Sequence, residues 1–285
     1  MIKKVGIVGF GQMGSGIGQV AAAAGYEVVA CDVSEKDYER GLGYITRSLD
    51  KAIERGKADE AAKKKVLSNI KGVTKLEELA DCDLVCEAVV ENMDVKKEVF
   101  KKLDSLCKPE TILASNTSSL AIGDMAAVTA RRDKFVGLHF FNPVQIMKLV
   151  EVVRTLDTSD DTFVAAREFA ESVGKTCVTA KDSPGFVVNV LLIPYLLDAI
   201  RQLERGLATR EDIDNGMMLG CGHPMGPLAL TDFIGLDTTM FIADIMFDEF
   251  KDGHYAAPPL LRRMVNAGYI GKKAGRGFYD YAKKK

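Results

Sequence analysis

The sequence has 285 residues, of which 47% are hydrophobic and 27% charged. At roughly 150 residues per domain, that predicts about two globular domains and excludes a disordered or fibrous chain. Lys and Arg total 38 against 40 Asp and Glu, a formal net charge of −2, which excludes nucleic-acid binding by bulk positive charge. Trp is absent and aromatic residues are sparse, which argues against a stacking platform for sugars or bases.

Val5 to Val8 is a short apolar run between glycines and predicts a buried parallel strand. Gly9-Phe10-Gly11-Gln12-Met13-Gly14 follows it. Ile17, Val20, Ala21 and Ala24 then recur at helical spacing up to Gly25, a helix stop. Glu27 to Cys31 predicts a second strand, ending at Asp32. Residues 35–67 are polar and charge-rich with apolar positions at helical spacing, and predict a helical pair broken near Gly56. Leu84 to Val90 and Ile112 to Ser115 predict further strands, with a helix over Val95 to Leu106 between them. Phe135 to Phe140 and Leu149 to Val153 predict two more. Thr162 to Val173 predicts a helix and Thr176 to Ala180 a last strand. This alternation predicts a doubly wound, mostly parallel sheet with an inserted helical pair.

At Asp182-Ser183-Pro184-Gly185 the composition changes. Pro184 is expected to start a helix, and Pro194 to kink or break the apolar helix over Leu191 to Leu203. Shorter helices are expected over 210–219, 227–236, 238–250 and 258–267. The fold class is therefore α/β, a Rossmann-like domain over 1–183 followed by an all-α C-terminal domain over 184–285. The last three lysines read as a solvated tail.

No uncharged apolar run approaches the ~18 residues of a membrane helix, and the N-terminus enters a strand pattern with no secretory leader. The six cysteines, at 31, 82, 86, 107, 177 and 221, have no zinc spacing. They read as free thiols of a reducing compartment. The expectation is a cytoplasmic protein with no metal and no membrane or nucleic-acid partner.

The pattern Gly9-x-Gly11-x-x-Gly14 sits at a strand-to-helix junction. Gly9 permits the tight turn, Gly11 lets the backbone approach a pyrophosphate, and Gly14 allows close packing of helix on strand. The helix N-terminus supplies unpaired N–H groups for the phosphates. Asp32, at the end of the second strand, stands where a carboxylate takes the ribose hydroxyls and repels a 2′-phosphate, which points to NAD rather than NADP. The alternative is a plain turn with a surface Asp.

His139 ends an apolar strand, and strand C-termini are where ligands bind in open α/β sheets. Glu151 interrupts the run Leu149 to Val153, where an acid is costly without a partner. The two suggest a general base paired with a carboxylate, or else a core histidine and an unrelated acid. Ser115 to Ser119 reads either as a turn and cap or as hydroxyls and amides aimed at a ligand. Asn189 is a polar amide on an apolar helix, satisfied in the core or facing a cleft. His223 and His254 lie in turn-rich segments and read as structural or solvated. No serine-hydrolase elbow, Walker loop or metal cluster appears.

Taken together, these residues resemble the short-chain L-3-hydroxyacyl-CoA dehydrogenase family over essentially the whole chain. The resemblance rests on GFGQMGSGIGQ from Gly9, CEAVVENMDVKKEVF from Cys86, ASNTSSL from Ala114 and GLHFFNPVQIMKLVEVV from Gly137. It continues through SPGFVVNVLLIP from Ser183, GHPMGPLALTDFIGLDT from Gly222 and GKKAGRGFYDY from Gly271. It implies reversible NAD-dependent hydride transfer between (S)-3-hydroxybutyryl-CoA and acetoacetyl-CoA, with His139 as general acid/base and Glu151 as its paired carboxylate. Ser118 and Asn189 would contact substrate and the nicotinamide region. Gly9, Gly11, Gln12, Met13, Gly14 and Asp32 would form the NAD turn, with Glu91, Lys96, Asn142 and Lys273 as further cofactor contacts. Ser48 would meet coenzyme A, and Arg55 stands where the family carries a second, lysine contact. The family also implies a substrate cleft between the domains and a homodimer formed through the helical domain. Two other readings stay open: an NAD-dependent dehydrogenase of a free hydroxy acid or sugar acid, and a non-catalytic NAD-binding protein.

Overall fold

In the computed structural model, which describes residues 1–282, the first strands and helices follow the glycine pattern. β1 (Lys4–Val8) leads into α1 (Gln12–Ala23), and β2 (Glu27–Cys31) pairs parallel with β1. α2 (Glu35–Glu54) and α3 (Glu60–Ser68) form the helical pair, each started by a side-chain cap, Ser34 on the Asp37 N–H and Asp59 on the Ala62 N–H. Such caps satisfy first-turn amides that have no partner in the helix.

The sheet continues with β3 (Ile70–Val73), β4 (Leu84–Glu87), β5 (Ile112–Ser115), β6 (Phe135–Phe140), β7 (Leu149–Arg154) and β8 (Thr176–Lys181). α4 (Met93–Leu106) links β4 to β5, α5 (Ile122–Ala126) lies before β6, and α6 (Asp160–Ser172) links β7 to β8. The strand order is β3-β2-β1-β4-β5-β6-β7-β8. Every pair is parallel except β6–β7. Val5, Ile7, Ala30, Leu84, Ala114 and Leu138 pack with Phe10, Ile17 and Phe169 in one apolar core.

Glycines set the close contacts around the first turn. Gly41 on α2 lies against the Phe10 carbonyl, and a Cβ there would come within 2.0 Å of that oxygen. α2 thus packs directly on the loop that follows β1.

The chain folds as two compact units, Met1–Ser183 and Pro184–Lys285. The second unit is helical: α7 (Val188–Glu204), α8 (Arg210–Cys221), α9 (Pro227–Ile234), α10 (Leu236–Phe250) and α11 (Pro259–Asn266). Its core joins Ile193, Leu197, Leu228, Leu236, Met246 and Leu261. Two buried carboxylates organise its loops. Asp232 accepts the N–H groups of Phe278 and Tyr279, and Asp214 those of Leu228 and Ala229.

Several sequence expectations need correction. The strand expected over Leu84 to Val90 stops at Glu87, because its neighbours β1 and β5 end at the paired residues Val8 and Ser115. Val90 is 68% exposed. Pro184 does not start a helix: Gly185 (φ 81°) and Phe186 (φ 47°) turn the chain through the left-handed region, and α7 begins at Val188. Of the kink or break expected at Pro194, the break does not occur: α7 continues through it to Glu204. β3 and α5 lie where the sequence pattern predicts no element. The last three lysines, expected as a tail, lie outside the described residues.

Candidate active site

Parallel strands deliver their carboxyl ends to one edge of the sheet, where ligands bind in such folds. Gly9 adopts φ 84°, and its N–H donates to the Cys31 carbonyl at 2.9 Å. Asp32, one residue further on, accepts the Phe10 N–H through Oδ2 at 2.8 Å and the Val33 N–H through Oδ1 at 2.7 Å. The glycine turn and the acid that ends β2 are thereby one assembly. A Cβ on Gly14 would lie 1.9 Å from the Gly9 carbonyl oxygen, so close packing excludes any side chain there. A Cβ on Gly11 would meet nothing within 4 Å, which leaves open space over the turn. α1 also has no side-chain cap and no acid in its first turn, whereas α2, α3, α4 and α6 are all capped by side chains. Uncapped amides beneath open space fit a dinucleotide pyrophosphate. Met13 packs partly buried against the core. Gln12 donates from Nε2 to Asn142 Oδ1 at 3.1 Å, joining two of the expected cofactor contacts.

The antiparallel pairing of β6 with β7 sets His139 directly opposite Glu151. Side chains directly opposed across an antiparallel pair share one face of the sheet. His139 Nδ1 lies 2.6 Å from Glu151 Oε2, with both residues buried. A carboxylate only accepts, so Nδ1–H donates and Nε2 is the basic nitrogen. The Phe141 ring packs against the imidazole, with centroids 4.4 Å apart. Asn116, just after β5, accepts the Phe140 N–H at 2.9 Å and ties the β5 turn to the strand that carries His139.

Between β4 and β5 lies a buried polar cluster. Glu91 accepts the Ser118 N–H at 3.2 Å and pairs with Lys96 Nζ at 3.1 Å, so three expected site residues meet. Glu87 belongs to the same cluster, 2.6 Å from Lys96 Nζ, and sequence reasoning passed over it. The signal was present: Glu87 is an acid inside an apolar run, the feature that singled out Glu151.

A cavity of about 860 Å³ opens between α1, α2 and the loop after β6. Arg47, Lys51, Arg55 and Lys57 line it together with Ser48, and among the described residues no acid does. Ser48 accepts a hydrogen bond from Gln19 Nε2 at 3.3 Å. Such a one-sign lining concentrates an anionic ligand. Arg47 is a residue that the sequence pattern did not single out. It stacks over the Tyr44 ring at 5.0 Å.

Asn189 and Lys273 belong to the second unit. Asn189 is buried near the start of α7, and Lys273 pairs with Asp237 Oδ2 at 2.7 Å. His223 bonds the Tyr195 hydroxyl at 3.0 Å within that unit. Among the described residues no group of acids, histidines and cysteines is placed to hold a metal ion, and no helix is long and apolar enough to cross a membrane.

Comparison with known proteins matches residues 4–183 to the 3-hydroxyacyl-CoA dehydrogenase NAD binding domain and residues 185–281 to the C-terminal domain of the same name. The chain is 51% identical to a 3-hydroxybutyryl-CoA dehydrogenase of Mycobacterium tuberculosis, over 98% of this chain and 99% of that one. It is 50% identical to a probable 3-hydroxybutyryl-CoA dehydrogenase of Bacillus subtilis, over 99% of each. Among solved structures, it superposes on (S)-3-hydroxybutyryl-CoA dehydrogenase PaaH1 from Ralstonia eutropha with a TM-score of 0.96 and 47% identity, covering 99% of this chain and 100% of that one.

Proposed function

The chain belongs to the 3-hydroxyacyl-CoA dehydrogenase family, and on that premise we propose that it interconverts (S)-3-hydroxybutyryl-CoA and acetoacetyl-CoA. The buried His139–Glu151 pair at the carboxyl end of β6 carries this reading. NAD is the cofactor of the family and, when bound, supplies the hydride acceptor or donor. His139 Nε2 takes the proton of the substrate 3-hydroxyl in oxidation and returns it to the developing alkoxide in reduction. Glu151 fixes the imidazole tautomer and balances the imidazolium charge. Ser118 and Asn189 hold the substrate oxygen. Asp32 receives the adenosine ribose.

The basic cavity beside Ser48 supports a coenzyme A thioester over a free hydroxy acid. Arg47, Lys51, Arg55 and Lys57 offer four cations to the phosphates of such a handle. Arg at position 55 meets a phosphate with a planar fork rather than a point charge. The helical unit serves substrate binding and homodimer formation, and the protein works in the cytoplasm, in keeping with its free cysteines.

The deciding experiment follows NADH absorbance with acetoacetyl-CoA, with NADPH and free acetoacetate as substitutes. Rapid turnover is expected only with NADH and the thioester. Turnover of free acetoacetate at a similar rate would transfer the reading to a hydroxy-acid dehydrogenase. NADH binding without any turnover would leave a binding protein.

A further inference from the structure

Glu87 closes β4 with its side chain fully buried. A carboxylate in that position is costly unless opposite charge and hydrogen bonds surround it. Both of its oxygens are engaged. Oε1 accepts Lys96 Nζ at 2.6 Å and the Val89 N–H at 2.7 Å. Oε2 accepts the Ser115 hydroxyl at 2.7 Å. Lys96 is itself 1% exposed, and its ammonium reaches a second carboxylate, Glu91 Oε2, at 3.1 Å. The other oxygen of Glu91 accepts the Ser118 N–H at 3.2 Å, the Ser119 hydroxyl at 3.3 Å and the Thr117 hydroxyl.

Two chains of polar contacts, the first including the Lys96–Glu91 ion pair, therefore run from Glu87 to the turn that carries Ser118. One passes through Lys96 and Glu91. The other passes through Ser115, whose hydroxyl oxygen accepts the Thr117 N–H at 3.3 Å. A lysine ammonium has three protons and no fixed direction. Its place between two carboxylates is what gives it one.

We propose that Glu87 is a positioning residue for the dehydrogenase reaction, holding the Lys96 ammonium so that Glu91 stays turned toward the backbone of the Ser118 turn. The proposal rests on the function read above. Without the Glu87 charge, Lys96 has Glu91 as its one carboxylate partner in a dry site, where unbalanced charge acts strongly. The two close on each other, and Glu91 gives up its bonds to residues 117–119. Ser118 then shifts relative to the reacting carbonyl oxygen.

The test compares the wild-type protein with Glu87→Gln, Lys96→Met and the double variant, using kcat and KM for acetoacetyl-CoA and thermal midpoints. Glu87→Gln is expected to lower kcat about 10- to 100-fold, the effect of misplacing a contacting group by a fraction of an ångström to an ångström. KM for acetoacetyl-CoA should change far less. Because Glu87 acts through Lys96, the double variant should lose no more kcat than Lys96→Met alone. A role confined to the fold predicts a lowered midpoint with wild-type kcat in the folded enzyme. That result, or additive losses in the double variant, overturns the proposal. Should Glu87→Gln fail to fold, the double variant removes both buried charges and tolerates burial, and a kcat there below that of Lys96→Met overturns it equally. An inactive wild type removes the functional reading itself, whereas an active wild type with an unimpaired Glu87→Gln removes only the role of Glu87.

Discussion

Asp32 Oδ2 accepts the Phe10 N–H at 2.8 Å, so the acid at the end of β2 also braces the glycine turn at the end of β1. On the proposed reading, one side chain serves cofactor selection and turn geometry together. Asp32→Ala should raise KM for NADH and narrow its preference over NADPH, because the carboxylate that repels a 2′-phosphate is gone. Steady-state kinetics with both cofactors checks this. An unchanged NADH-to-NADPH ratio of kcat/KM would remove Asp32 from cofactor selection.

Gly11 and Gly14 give a paired prediction. A Cβ on Gly11 enters open space, and one on Gly14 strikes the Gly9 carbonyl oxygen at 1.9 Å. Gly11→Ala should therefore fold with a near wild-type melting midpoint and bind NADH weakly. Gly14→Ala should lose folding stability as well, by steric displacement of the turn. Thermal melts alongside NADH fluorescence titration separate the two. Equal effects on folding would remove the assignment of the space over Gly11 to a ligand.

His139→Ala should lower kcat by about 10²–10⁴-fold, the usual contribution of a positioned general acid or base. NADH affinity should stay near wild type. Glu151→Gln keeps the shape and removes the charge, so its loss in kcat should run the same way and be smaller. Wild-type kcat in His139→Ala would end the assignment.

Arg47→Ala and Arg55→Ala should each raise KM for acetoacetyl-CoA about two- to fivefold, the range of a solvent-facing charge contact. kcat and KM for NADH should be unchanged. Added salt should weaken acetoacetyl-CoA binding in the wild type more than in the double variant. A KM indifferent to both substitutions and to salt would detach coenzyme A from this cavity.

The thiols differ sharply in environment. Burial pushes Cys31 and Cys107 up to about 11 and Cys82 up to about 12, and pushes the fully enclosed Cys86 higher still. Cys177 is raised by the same cause. The thiolate is the reactive form, so near neutral pH these five should react slowly. Cys221 is exposed. A disulfide reagent should titrate one thiol quickly in the native protein and all six, the full complement of the sequence, after unfolding. Rapid release from several native thiols would contradict this burial.

The legible parts of the fold were those written in local pattern. β1, the glycine turn, α1 and β2 follow from apolar runs punctuated by glycines, and the His139–Glu151 pair from an acid set in an apolar strand. β3 escapes the pattern because Ile70–Val73 is a four-residue edge strand with exposed Lys71 within it. Such a strand exists through pairing with β2, a neighbour distant in sequence. Pro184 misleads because its helix-starting preference is local, while the left-handed Gly185 and Phe186 redirect the chain after it. Arg47 is hidden for a similar reason. In the sequence it is one charge on a charged helix, and the cavity that gives it meaning needs α1 and the loop after β6 in place.

The antiparallel pairing within this otherwise parallel sheet has a consequence for how its chemistry endures change. His139 and Glu151 face each other because β6 and β7 are hydrogen-bonded in a register that pairs them. Side chains alternate between sheet faces with a period of two, so a slip of a single residue would send Glu151 through to the opposite side of the sheet. The connecting segment 141–148 is held to the site separately, by Phe141 against the imidazole and Asn142 on Gln12. A single insertion inside either strand would part acid from base at a stroke. Loss of the dyad and loss of the sheet's own alignment are one event, which ties the inheritance of the reaction to the inheritance of the fold.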